Sequence, residues 1–268
     1  MTEKLIRIFV FISIFLNCSF VAGQNKNSDQ EIYSKSRIVI SNENIEIYQD
    51  EVNVDENFLH LVDEASKNIQ IVLQRKFDKT VLGKKIKIVV SKSVRISHVW
   101  HGYQHIHDPK GILFLNSKAY SGFLNGSNAT LLHELTHLLM WKYESHSLRE
   151  GLADYVAKKV MPYADIGPNS YGVEFNILLT HLAPYLGSKL EPQSDLLSDM
   201  NYRKEYYLGS YKFVSKLIEL KSLEIFLTLY ESLSTDEQYI KLYGSSRADL
   251  VCNLVFINAR NECLLAVK

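Results

Sequence analysis

Only three cysteines occur in 268 residues, at positions 18, 252 and 263, and none belongs to a CxxC pair. A thiol redox centre is therefore not expected. Neither sign of charge is in excess, with 30 Lys plus Arg against 30 Asp plus Glu, and no long basic run occurs. That balance argues against a nucleic-acid footprint or a polybasic membrane patch, so no nucleic-acid partner is expected. Internal repeats and low-complexity segments are also missing. What remains is a chain 46% hydrophobic and 22% charged, globular in composition. Its length suits one large domain or two intimate lobes, with a sizeable core.

The N-terminus reads MTEKLIRIFVFISIFLNCSFVAGQNKN. Lys4 and Arg7 precede an apolar run, and Val21-Ala22-Gly23 offers small residues for cleavage after Gly23. The strongly apolar part, Ile8 to Leu16, falls short of the roughly 20 residues that span a bilayer. The pattern predicts residues 1–23 to be a signal peptide of an exported (secreted or periplasmic) protein. No stable membrane span is then expected after cleavage. Lipoprotein anchoring at Cys18 is the less favoured alternative, because Asn17 departs from the usual small residue. In an oxidising compartment Cys252 and Cys263 are expected to close a small structural disulfide; two buried thiols are the alternative.

Residues 24–34 are polar and read as an N-terminal tail. RIVISNENIEIYQD alternates around a polar turn and predicts one or two short strands. Phe58, Leu61, Val62, Ala65, Ile69 and Val72 fall at helical spacing. KKIKIVVSKSV predicts a strand at about 85–91, and Ile112 to Leu115 another. Between them lies a loop with His98, His101, His105 and His107, of which the last three could form a second metal site or line a substrate cleft. Ser127 to Tyr143 reads as a long apolar helix capped by Ser127 or Asn128. Further helices are expected over Ser147 to Val160, Tyr206 to Leu220, Leu223 to Leu233 and Arg247 to Phe256. The expected organisation is an α+β lobe over 35–143 ending in one apolar helix, then a helical lobe over 144–268.

That apolar helix holds HELTH. On an α-helix i and i+4 share a face about 6 Å apart along the axis, so His133 and His137 can aim at one metal. Glu134 stands beside the first histidine, placed to reach a water on that metal. Burying two imidazoles and a carboxylate among Leu131, Leu132, Leu135, Leu138 and Leu139 is costly without a partner, and a metal would be one. A catalytic zinc usually takes three protein ligands. Glu150 lies thirteen residues after His137, beyond the polar turn Glu144-Ser145-His146-Ser147. Asp154 shares its face and can accept the Nδ1–H of a ligand histidine. Gly151 would let the two helices approach closely. The competing readings are a Ser147–Glu150 capping box and an Asp154–Lys158 ion pair. His146 and Glu144, in the turn, receive no task.

HELTH followed by LREGLADYVA resembles the gluzincin zinc metallopeptidases, most closely the peptidase MA-like proteins, which carry HExxH, a short gap and EGxA(D/E)Y. The resemblance is specific over residues 130–157. The gap is shorter than in thermolysin-like enzymes, and the GxMEN motif of zinc aminopeptidases is absent. The resemblance implies a zincin-like fold and one Zn2+ held by His133, His137 and Glu150. It further implies Glu134 as general base towards a zinc-activated water, with Asp154 orienting a histidine. A peptide or protein is the expected substrate. EYYLGSYKFV offers Tyr206, Tyr207 and Tyr211 as oxyanion donors, and a family-like Y-x-x-S-x-x-F alignment selects Tyr207. The resemblance also places Gly111 to Leu115 as the sheet edge that pairs with substrate. The alternative functions are a non-catalytic peptide-binding module on the same scaffold and a zinc amidase acting on a cell-wall amide.

Overall fold

The computed structural model describes residues 29–77, 85–101, 109–166 and 180–267. The chain is α+β, with a five-stranded mixed sheet followed mostly by helices. The strands are β1 (Arg37–Ser41), β2 (Ile45–Asp50), β3 (Ile86–Ser91), β4 (His98–His101) and β5 (Pro109–Asn116), in spatial order β1-β2-β3-β5-β4. β1 and β2 form an antiparallel hairpin. Its turn is held by the Asn42 side chain, which accepts from the backbone N–H of Asn44 and Ile45, each at 2.8 Å. β2, β3 and β5 run parallel, and β4 returns antiparallel along β5. Helix α1 (Phe58–Leu73) is the crossover between β2 and β3, which parallel pairing requires.

Parallel strands covered on both faces read as near-continuous apolar runs. Here Ile45, Ile47, Ile86, Ile88, Val90, Leu113 and Leu115 face the helices and join the main core. Tyr48, Val89, Ile112 and Phe114 face the other way, under Ile32 and Tyr33. Those last two belong to a helix over residues 29–35, within the segment expected to be a polar tail.

After the sheet come α2 (Ser117–Leu124), α3 (Thr130–Leu139) and α4 (His146–Val160). Beyond these lie α5 (Ser194–Ser198), α6 (Met200–Leu220), α7 (Leu223–Tyr230), α8 (Asp236–Tyr243), α9 (Arg247–Leu254) and α10 (Arg260–Ala266). One buried cluster runs from Ile45 to Cys263, so sheet and helices share a core. Cys252 and Cys263 form a disulfide between α9 and α10, as expected. No helix among the described residues is long and apolar enough to cross a membrane.

Four expectations are corrected. GILFL is not the sheet edge: Ile112 to Leu115 are at most 4% exposed, between β3 and β4. The edge is β4, in a stretch read as loop. β5 carries extra residues opposite it, where Val99 pairs with Leu113 but His101 with Pro109, and Gly111 takes φ 64° there. The HELTH helix is shorter than 127–143. Ser127 and Ala129 are held instead in backbone hydrogen bonds to Asp165. At its other end the Met140 carbonyl accepts from the Tyr230 hydroxyl at 2.9 Å. Helix α2 was not anticipated, whereas the short α5, α8 and α10 fall within the expected helical lobe.

The fourth correction concerns Gly151, whose close neighbour is α6 rather than α3. A β-carbon there would stand 2.3 Å from the Ser210 carbonyl oxygen and 2.7 Å from its carbon. Those atoms are backbone and cannot rotate away. In an exposed helix, Gly→Ala stabilises by up to about 1 kcal/mol; here overpacking should win, at about 1–3 kcal/mol. Gly151→Ala is expected to lower the unfolding free energy by that net amount, seen as a lower denaturant midpoint by far-UV circular dichroism. An equal or higher midpoint would show that the two helices separate freely.

Candidate metal centre

α3 is apolar nearly all round, and its residues from Leu131 to Leu139 are all buried, which is the pattern of a helix inside the core. His133, Glu134 and His137 are the costly exceptions, 4–7% exposed. Trp141 to Glu144 reverse the chain, and Ser145 caps α4 by accepting from the Leu148 N–H. The cap is therefore not Ser147, and Glu150 is free of the capping box. Lys158 reaches the Ala164 carbonyl. Asp154, fully buried, faces His133 instead.

Three ligand atoms converge. His133 Nε2 lies 2.9 Å from His137 Nε2 and 3.2 Å from Glu150 Oε2. His137 Nε2 lies 3.3 Å from the same carboxylate oxygen. Among the described residues this is the one group of His, Cys, Asp and Glu arranged to hold a metal. A tetrahedral site with bonds of about 2.0–2.1 Å separates its ligand atoms by roughly 3.3 Å, so the triangle fits such an ion. Behind it, His133 Nδ1 donates to Asp154 Oδ1 at 2.6 Å, which leaves Nε2 turned towards His137 and Glu150.

The electrostatics favour coordination. Burial, seconded by the Arg149 guanidinium, pushes His137 well below its usual value and keeps it neutral. Burial would raise Glu150, but His137, His133 and Arg149 outweigh it and hold the carboxyl well below the usual range. Neutral imidazole and ionised carboxylate are the states that ligate. His133 differs. Burial opposes its protonation, yet Asp154 and Glu150 raise it well above the ordinary value. One proton is then shared among three mutually facing acceptors. A divalent cation would satisfy all three at once in its place.

Glu134 stands on the same helix with its carboxylate outside this triangle. Burial pushes it up to about 7, with the Glu150 charge adding and His133 opposing. It lines a cleft of about 630 Å³ with His133, Tyr207 and residues from both halves of the chain. Tyr207, on α6, stacks near His133 at 6.4 Å between ring centroids. Burial first, then the Glu150 charge, raises its pKa well above the usual value, so it keeps its O–H. Tyr206 is instead buried in the core, its hydroxyl 3.1 Å from His146 Nδ1. Tyr211 does not line the cleft.

Two residues without an expected task also meet here. His146 begins α4 and places Nε2 3.4 Å from Glu150 Oε1. Arg149 Nη1 lies 3.4 Å from the same oxygen. The i, i+4 spacing of His146 and Glu150 could have signalled the first; adjacency gives no such signal for Arg149. Glu144, in contrast, pairs with Lys189 at the surface. Of the second histidine group, His105 and His107 lie outside the described residues.

No protein-family model matches the chain, and the comparison with curated proteins gives no match. Asp154→Asn keeps the shape of the side chain and removes its charge. Zinc affinity, read by competition with a chromophoric chelator, should fall about 10–100-fold. An unchanged affinity would mean that His133 is oriented by packing alone.

Proposed function

We propose that the chain is an exported zinc-dependent metallopeptidase of the gluzincin type, with a zincin-like arrangement of sheet, HExxH helix and helical lobe. The observation that carries this reading is the convergence of His133 Nε2, His137 Nε2 and Glu150 Oε2 within 3.3 Å, with Glu134 left beside them in an open cleft. The disulfide between Cys252 and Cys263 accords with an oxidising compartment.

His133, His137 and Glu150 would hold the ion, and the Asp154 hydrogen bond keeps His133 in the ligating tautomer. When bound, the ion supplies Lewis-acid polarisation of a carbonyl and acidifies water. Glu134 accepts a proton from the attacking water and delivers it to the leaving amine. Burial raises its carboxyl in the metal-free site, and the charge of a bound cation would lower it again. Tyr207 donates its hydroxyl proton in a hydrogen bond to the oxygen on which charge develops. The substrate backbone adds as a strand along β4, the edge strand packed beside α3. Backbone pairing would give affinity with little side-chain preference.

Glu134→Gln separates base from ligands. Metal content measured by atomic emission should stay equal to wild type, whereas hydrolysis in a peptide-library digest should drop on the order of 100-fold or more. Replacing His133 or His137 with Ala should lose the metal itself. Digestion that continues undiminished in Glu134→Gln, or in the presence of a chelator, would remove Glu134 and the ion from the reaction.

A further inference from the structure

We propose that the cleft selects anionic peptide segments, whose carboxylates are met by Arg95, Lys118 and Arg203; this rests on the peptidase reading above. The three cations line the cleft that contains His133 and Glu134. Arg95 precedes β4 and Lys118 lies in the first turn of α2, both exposed, while Arg203 projects from α6 on the helical side. The walls of the cleft thus carry positive charge contributed by both halves of the chain.

Among the described residues their charges have no ionic partner. No ion pair among the described residues involves any of the three. Arg203 makes one contact through Nη2, at 3.3 Å to the Met200 sulfur, a weak acceptor. Its Nε is buried with no hydrogen-bond partner. A guanidinium is built for bidentate pairing with a carboxylate, so an under-used one beside a cleft is suited to such a ligand.

Nor do these cations reflect a general excess, because Lys plus Arg and Asp plus Glu number 30 each. Glu134 is the one carboxylate among the described lining residues. Backbone pairing along β4 gives no side-chain preference, so selectivity falls to the walls. A peptide with acidic residues near the reacting bond would gain attraction, and one with basic residues there would meet like charge. The shared chemistry is a carboxylate, from an Asp or Glu side chain or from a free C-terminus.

The test uses zinc-loaded, full-length Glu134→Gln protein and fluorescent peptides of one length. Their central residues are flanked by Glu, Gln or Lys, and each is made with a free and an amidated C-terminus. Binding is read by anisotropy. The Glu peptide should bind about tenfold tighter than the Gln peptide, and the Lys peptide most weakly. The gap should narrow between about 0.05 M and about 0.5 M salt. If the flanks bind alike but amidation weakens all three peptides, the carboxylate is the C-terminal one and the anion preference stands.

Lys118→Glu, an exposed change that leaves the core untouched, and Arg203→Glu should each cut the Glu-to-Gln ratio about tenfold. Equal binding of all six peptides, free or amidated, or an anion preference unmoved by both reversals, overturns the proposal. Wild-type cleavage is scored separately. Peptides that bind with the expected preference but are never cut would count against the peptidase reading and leave the anion preference intact.

Discussion

The hydrogen bond between His133 and Asp154, 2.6 Å long and closed to solvent, ties the HELTH helix to the helix that follows it. Without it, His133 could present either nitrogen to the site. With it, Nδ1 is committed and Nε2 must face His137 and Glu150. Two acceptor nitrogens and an acceptor oxygen are thereby pressed together inside an apolar helix pair. Such a cluster is unstable in low dielectric unless protons or a cation compensate it. The need for positive charge is thus set by the buried scaffold rather than by an exposed loop.

That demand reaches outward through α4. The helix contributes Glu150 and Asp154 to the site, and Gly151, between them, lies against the backbone of α6 at Ser210. α6 in turn brings Tyr207 to the cleft. The absence of one side chain therefore sets the distance between the helix of Glu150 and the helix of Tyr207. His146 and Arg149 hold the outer oxygen of Glu150 while Oε2 faces the histidines. The carboxylate is gripped at both ends, which limits its freedom to rotate out of the triangle.

How much of this could be read in advance follows from how local each signal is. His133, His137, Glu150 and Asp154 were legible because helical spacing of three and four residues puts side chains on one face. The single polar turn between the helices then allowed them to meet. The edge strand was not legible. β4 is four residues long and has one described neighbour, so its identity depends on a pairing across the sequence. GILFL looked like a strand and is one, but its unbroken apolarity marks a strand buried on both faces. The ends of the HELTH helix escaped for a similar reason: Asp165 and Tyr230, distant in sequence, capture the backbone on either side. Arg149 was missed because neighbouring helical residues do not ordinarily face the same partner.

The charge balance of the site bears on what the cleft can do. Glu134, Glu150 and Asp154 carry three negative charges when ionised. A divalent cation and the buried Arg149 guanidinium would match them, with both histidines neutral. A cation would also draw Glu134 down from its raised value, since its charge stabilises the carboxylate. The floor of the cleft then approaches neutrality without help from the walls. Arg95, Lys118 and Arg203 would then be surplus to a metal centre, and among the described lining residues only Glu134 opposes their field. Confined by low-dielectric walls, such a field acts on a ligand more strongly than the same charges would on an open surface. On the proposed function the ion and the wall cations would divide the work by position: the first would act on the carbonyl to be attacked, the second on charges carried elsewhere along the substrate.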